Sequence, residues 1–429
     1  MQVTRFPKRE QWAALLSRPS VDTEQLRSTV AEILATVRTG GDTALRSYAE
    51  QFDGFAPDDL VVSNEEFRSA EDSVSQELKS ALVIAKTNIE AFHSRAEISE
   101  EIIETMPGVF CWRKTLPIER VGLYVPAGTA PLFSTVLMLA IPACLAGCTE
   151  IVMCTPPGRN GLIDPATLFA AKLCGVTRVV KVGGAQAIAA LTFGTESVPH
   201  VYKIFGPGNR YVTEAKLQAT RYGVAIDMPA GPSELAVIAD DSCIPAFVAA
   251  DLLSQAEHGP DSQVIIVSAS EKVLEATLVE VDRQASTLPR RDTALAALAN
   301  SKAILMETLQ DGMGLLNEYA PEHLIIATEN AEELADTVTN AGSVFIGNYS
   351  SESAGDYASG TNHTLPTNGA AKAFSGVSTA SFTKTITFQR LTRDGLNAIG
   401  PTIETMAAAE GLYAHKNAVT IRREARATQ

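Results

Sequence analysis

Apolar positions along this chain follow first a helical and then an alternating strand-and-helix rhythm, and the pattern changes three times. From about residue 21 to 105 the chain is polar with amphipathic spacing, in the run from Thr23 to Arg38 and in a charged stretch from Asn64 to Arg95. Residues three and four apart share one face of a helix, so this is a predicted helical entry region. From Arg120 short apolar runs alternate with helices. Val121–Val125, Glu150–Cys154, Arg178–Val182, Val201–Phe205 and Ala225–Asp227 read as strands. Helices are expected at Phe133–Leu145, from the N-cap Asp164, at Ala185–Leu191 and at Asn209–Arg221.

A second alternation begins at Leu235. Its strands are Leu235–Ile238, Val264–Val267, Ala303–Leu305, Leu324–Ile326 and Ser343–Ile346. Its helices run from Pro245 to about Glu257, from Glu271, from Asp292, through Leu315 and from Ala331. Two α/β units therefore lie end to end, each calling for a mostly parallel sheet covered on both faces. After Gly347 the periodicity lapses until a helix near Asp394 to Glu410, and Tyr349–Thr367 reads as a loop. A long loop holding Asp356 and His363 in a compact chain points to function.

Composition narrows the class. At 429 residues with 45% hydrophobic content the chain can bury more than one core. A formal net charge of −15 argues against nucleic acid or an anionic membrane as partner. The start is polar and no stretch approaches the length of a spanning helix, so a soluble, cytoplasmic protein is expected. The cysteines Cys111, Cys144, Cys148, Cys154, Cys174 and Cys243 form no CxxC pair and mostly sit in apolar runs, as buried reduced thiols do. A catalytic thiolate is the other reading, and none of them has a histidine close by in sequence.

The chain has only six histidines, and four of them sit beside Glu, Asp or Gln in Gln255-Ala256-Glu257-His258, Pro321-Glu322-His323, the segment from Gly355 to His363, and the segment from Glu410 to His415. Imidazole with carboxylate is the material of zinc sites and proton-transfer sites. Gln255 and His258, three apart near a helix end, point at one volume. Asp356 and His415 are candidates to complete a tetrahedral set, although Gln is an uncommon zinc ligand. Glu322 and His323 open a strand, where adjacent side chains reach one site only at the strand mouth; there they would suit a general acid/base pair.

Three glycine-rich turns each follow a strand and precede a helix: Tyr124–Gly128, Val182–Gln186 and Phe205–Asn209. Such turns bring backbone N–H groups to a pyrophosphate at the carboxyl end of a parallel sheet. None completes the dinucleotide fingerprint, since the last reads Gly-x-Gly-x-x-Tyr and lacks its third glycine.

The segments Met228–Glu234, Leu253–Asp261, Tyr319–Leu324 and Asp356–His363, in this order and with similarity over nearly the whole chain, resemble the histidinol dehydrogenase family. The resemblance implies an NAD-dependent oxidation of L-histidinol through L-histidinaldehyde to L-histidine, with two NAD⁺ and one Zn²⁺ per subunit of a homodimer. It implies two incomplete Rossmann-like parallel-sheet domains with N- and C-terminal helical extensions. The implied division is an N-terminal extension (1–20), an α/β domain with most zinc and catalytic residues (21–123 and 233–377), an inserted NAD domain (124–232), and a C-terminal extension reaching the partner (378–429). Gln255, His258, Asp356 and His415 match zinc ligands that also hold the substrate, with His415 coming from the partner subunit. His323 matches the general base and a substrate contact, and Glu322 the group that activates water. Ser233, His363 and Glu410 match substrate contacts, and Tyr124, Gln186 and Asn209 match NAD contacts. Two other classes remain open from sequence, a zinc hydrolase and a non-catalytic metal-binding protein, as does a related dehydrogenase acting on another small alcohol.

Overall fold

The computed structural model describes residues 1–18, 24–94, 101–127, 131–229 and 231–425. The chain divides into two compact units, one of Met1–Arg95 with Ile118–Phe382, the other of Ala96–Pro117 with Thr383–Gln429. In chain order the strands are β1 Gln2–Arg5, β2 Ile103–Met106, β3 Val109–Pro117, β4 Arg120–Tyr124, β5 Glu150–Thr155, β6 Arg178–Lys181, β7 Lys203–Phe205, β8 Ala225–Ile226, β9 Glu234–Ala239, β10 Gln263–Ser268, β11 Lys302–Leu305, β12 His323–Ala327, β13 Ser343–Ile346 and β14 Thr383–Leu391.

The two expected α/β runs form two sheets in the first unit, ordered β6-β5-β4-β7-β8 and β1-β11-β10-β9-β12-β13. All neighbouring strands in both are parallel. Their sequences show why. β9 (ELAVIA) and β10 (QVIIVS) are buried along their whole length, so both faces must be apolar and the strands read as continuous runs. Helices bury them in turn. Ser134–Ala143 of the helix Phe133–Ala146 is buried throughout, and that helix stops at Gly147, which takes the left-handed conformation at φ 89°.

The entry helices pack differently from the expected division. Val30, Ile33, Leu34 and Val37 of the helix Glu24–Asp53 join the cluster of the Ala-rich helix Gly184–Phe193. Helix Asn64–Ser73 packs on Pro165–Leu173, and Gln76–His93 on Phe133–Ala146. Residues 24–93 thus cover the five-stranded sheet, not the six-stranded one. A boundary between residues 123 and 124 would cut β4, which pairs with β5 from Arg120 to Tyr124.

Further expectations are corrected. The N-terminal segment is not purely helical, because β1 joins the six-stranded sheet beside β11 before the helix Arg9–Leu15. The entry region does not stay helical to 105, since β2 begins at Ile103. The C-terminal extension opens with a strand, β14, and in the second unit β14-β3-β2 form an antiparallel sheet. β14 is exposed over Lys384–Arg390, so its side chains do not alternate between core and solvent and give no period to read. Helices Arg393–Ala409 and Tyr413–Glu424 follow and pack on each other. The stretch 349–367 is not all loop, for it contains the helix Glu352–Tyr357. That helix has six residues, too short for a full amphipathic repeat. No helix among the described residues is long and apolar enough to cross a membrane.

Candidate active and metal site

The catalytic candidates gather at the amino ends of β9 and β12. Glu322 immediately precedes β12 and His323 is its first residue, so both side chains turn into one volume at the strand mouth, with His323 Nδ1 3.7 Å from Glu322 Oε2. The neighbouring strand approaches closely here. A Cβ on Gly342 would lie 2.5 Å from the Glu322 carbonyl oxygen, so only glycine lets β13 enter beside it. Glu234 heads β9 next door: its N–H donates to Glu322 Oε2 at 2.9 Å, and its carbonyl lies 3.3 Å from His323 Nδ1.

The C-terminal end of the helix Pro245–Ala256 and the helix Glu352–Tyr357 close the other side, and these helices pack on each other. Gln255 is buried on the last turn, and the His258 N–H continues that turn to the Gln255 carbonyl at 3.3 Å. Among the described residues, His258, Glu352 and Asp356 present ligand atoms all within 4.8 Å of one another. Asp356 Oδ1 faces His323 Nε2 at 3.4 Å, and both atoms are buried without a hydrogen-bond partner. The Gln255 amide can be placed two ways: in one its nitrogen reaches Glu322 Oε2 at 3.5 Å, and the other satisfies both of its ends. With its nitrogen towards Glu352 it donates to that carboxylate, while its oxygen accepts the Glu234 N–H at 3.2 Å; the reverse sets two acceptor oxygens face to face. His363 is anchored at both nitrogens, Nδ1 3.0 Å from the Asp356 carbonyl and Nε2 3.3 Å from the Thr135 hydroxyl.

Burial and charge set the protonation states. Burial pushes the Glu322 carboxyl well above the usual carboxylate range, against the pull of the His323 ring. Burial disfavours the His323 imidazolium, but Glu322 and Asp356 outweigh it and raise its pKa. Burial likewise works to raise Asp356, and contact with His323 brings it below the ordinary value. His258 and His363 are both lowered by burial, which keeps their imidazoles neutral as metal or hydrogen-bonding ligands require.

This donor set fits a divalent cation. It offers a neutral imidazole, an amide and a carboxylate whose buried Oδ1 makes no hydrogen bond and faces only the His323 ring at 3.4 Å, an arrangement that a cation or substrate would complete. Ser233 adjoins the cluster through the chain, one residue before Glu234, and is half-buried. Glu410 and His415 lie in the second unit, both exposed, at the end of the helix Arg393–Ala409 and in the first turn of Tyr413–Glu424.

The three turns meet at the carboxyl end of the five-stranded sheet; in the first of them Gly128 lies outside the described residues. Tyr124 ends β4, and its buried hydroxyl accepts the Gly184 N–H at 3.1 Å, with burial pushing the phenol up to about 12. Gly206 has φ 125°, and a Cβ there would collide with the Tyr124 carbonyl oxygen. Lys216 and Asp227, an almost fully buried pair 2.5 Å apart, pin the same turn: Lys216 donates to the Gly206 carbonyl and Asp227 accepts its N–H, both at 2.8 Å. Gln186 is buried beside Gly184, and Asn209 caps the helix Arg210–Ala219 by accepting from the Tyr211 and Val212 N–H groups.

All six cysteines are free. Cys144 is exposed, contrary to the buried expectation, since it lies on the outer face near the end of an otherwise buried helix. Burial raises the Cys148, Cys154 and Cys174 thiols to about 12 and Cys243 to about 11, far from a ready thiolate. Two site features escaped the sequence reading. Glu352 stands four residues before Asp356, a helical spacing hidden by the reading of that stretch as loop. The buried Glu234 pairs with Arg18, whose Nη2 reaches Glu234 Oε2 at 2.9 Å and the Tyr319 carbonyl at 2.8 Å; across 216 residues no local signal reveals it.

Comparison with known proteins gives the family. The profile of the histidinol dehydrogenase family matches residues 16–423. A histidinol dehydrogenase of Bacteroides thetaiotaomicron is 58% identical over 422 residues, 98% of this chain and 99% of that protein. That of Escherichia coli strain K12 is 53% identical, covering 96% of this chain and 95% of that protein. The crystal structure of histidinol dehydrogenase from Elizabethkingia anophelis superposes with a TM-score of 0.96 at 53% identity, covering 98% of both chains. On a family match across residues 16–423 and relatives more than half identical over nearly their whole length, the chain belongs to the histidinol dehydrogenase family.

Proposed function

We propose that this protein is a zinc- and NAD-dependent histidinol dehydrogenase of the cytoplasm. It oxidises L-histidinol through L-histidinaldehyde to L-histidine, with two NAD⁺, in the last steps of histidine biosynthesis. The observation that carries this reading is the apposition of His323 and Glu322 to the buried Asp356 carboxylate, whose Oδ1 makes no hydrogen bond, within the donor cluster. Gln255, His258 and Asp356 hold the zinc, with His415 of the partner subunit in a homodimer completing the set. When bound, the metal supplies a template that fixes the substrate's imidazole and amine. Ser233, His363 and Glu410 add substrate contacts, and Tyr124, Gln186 and Asn209 hold the NAD⁺ against the three turns.

In the first oxidation His323 takes the hydroxyl proton as the carbinol hydride leaves to the nicotinamide. Asp356, holding a cation, would be drawn away from favouring a proton on His323, leaving the imidazole able to act as base. Glu322 then takes a proton from water as its oxygen adds to the aldehyde carbon, while the protonated His323 returns its proton to the carbonyl oxygen, giving the hydrate and a neutral imidazole. The burial-raised pKa of Glu322 suits it to this work near neutrality. His323 takes one hydroxyl proton of the hydrate as a second hydride departs, leaving the carboxylic acid, which ionises by losing its remaining proton to water. No thiolate is required. NADH formation from L-histidinol, measured before and after chelation and zinc readdition, tests the scheme. Two NADH per histidinol with activity restored by zinc is the expected result; one NADH with free aldehyde would remove the role given to Glu322, and no NADH would remove the reading.

A further inference from the structure

Glutamine is a poor choice of metal ligand unless something fixes which end of its amide faces the cation. The two ends are nearly isosteric, and only the oxygen can bind a metal. Glu352 meets the requirement geometrically. It is 1% exposed, and its carboxylate faces the Gln255 nitrogen. Its other oxygen is held by the hydroxyl of Ser254, the residue before Gln255, at 2.5 Å. Both carboxylate oxygens are therefore engaged with the helix that carries Gln255, while Glu352 itself rides one helical turn ahead of Asp356. On the far side, the Glu234 N–H, shared with Glu322 Oε2, donates to the Gln255 oxygen at 3.2 Å.

We propose that Glu352 is a positioning residue that fixes the amide polarity of Gln255 and so makes a glutamine serviceable as a zinc ligand. It acts through Gln255 in the way that hydrogen-bonded carboxylates orient metal-bound histidines. Glu352 lies close enough to His258 and Asp356 to be mistaken for a ligand in its own right. Its two hydrogen-bonded oxygens distinguish it from Asp356, whose Oδ1 has no partner.

The inference rests on the zinc reading above, and its test separates the two. Zinc affinity is measured by competition with a chelator of known affinity for wild type, Glu352→Gln, Gln255→Ala and the double variant, with thermal melting of each metal-free protein. Glu352→Gln should weaken zinc binding by about 10- to 100-fold, the range for an orienting partner, while adding nothing on the Gln255→Ala background. An undiminished effect on that background, as a direct ligand or a purely structural clamp would give, overturns the proposal, as does unchanged affinity in the single variant. If Glu352→Gln does not fold, Ser254→Ala takes its place. It should cause a milder loss that again vanishes without Gln255, and a loss that persists, or none at all, counts against the proposal. Failure of the wild type to bind zinc would instead sink the metal site itself.

Discussion

His323 sits between two carboxylates that favour its charged form, yet a base must be neutral to accept a proton. The cluster resolves this only if Asp356 is committed elsewhere, which ties the base to the cation site. Replacing His323 by Asn keeps a polar side chain but removes the proton acceptor, and alcohol oxidation should fall by about 10²-fold or more in steady-state turnover. Near-normal rates would take His323 out of the role. Glu322→Gln leaves a group of the same shape that can no longer take a proton from water. It should slow L-histidinaldehyde oxidation more than L-histidinol oxidation, measured with each substrate supplied separately, and equal losses would argue against water activation as its distinct task. Gln255, His258, Glu322, His323 and Asp356 were legible in sequence because histidine is scarce and each pairs with a polar neighbour. Glu352 and the Arg18–Glu234 pair were not, since their partners come from distant strands and helices.

At the scale of elements, strands buried on both faces and helices with one apolar stripe were readable because burial imposes their periods, as in β9, β10 and the helix Glu24–Asp53. β3, β14 and the short helix Glu352–Tyr357 lacked such a period. The packing of the entry helices could not be read either, because an apolar stripe does not name its partner. That packing has a polar clasp. Asp42, just past Gly41, where the helix Glu24–Asp53 kinks, accepts the Thr195 hydroxyl at 2.6 Å and the Ser197 hydroxyl at 2.5 Å. Burial alone would raise this carboxyl, but the hydrogen bonds bring it below its ordinary value. A folded-state pKa that is depressed contributes stability above the unfolded value of about 3.9, lost as pH falls through the folded value. Asp42→Asn should therefore be less stable than wild type in urea at pH 7, with the gap closing below about pH 4. A gap constant across that range would mean that the hydroxyls do not favour the ionised carboxylate.

At the scale of the whole molecule, the proposed site draws on segments of the first unit more than 100 residues apart, from Ser233 to Asp356, and the proposed homodimer adds His415 of a partner subunit. Glu410 and His415 stand exposed on two helices of the second unit, where an exposed imidazole and carboxylate have little structural work to do. If His415 serves the partner's metal, a subunit lacking it still offers an intact Gln255, His258 and Asp356. A subunit lacking His258 still lends its His415. Neither His258→Ala nor His415→Ala homodimers should turn over at an appreciable rate. In hybrids of the two, one site collects both lesions and the other collects neither, so each hybrid dimer should regain about half of wild-type activity and bind one zinc tightly, assayed on dimers reassembled from differently tagged subunits. A ligand supplied within its own subunit would leave both sites of the hybrid damaged, and no activity would return on mixing.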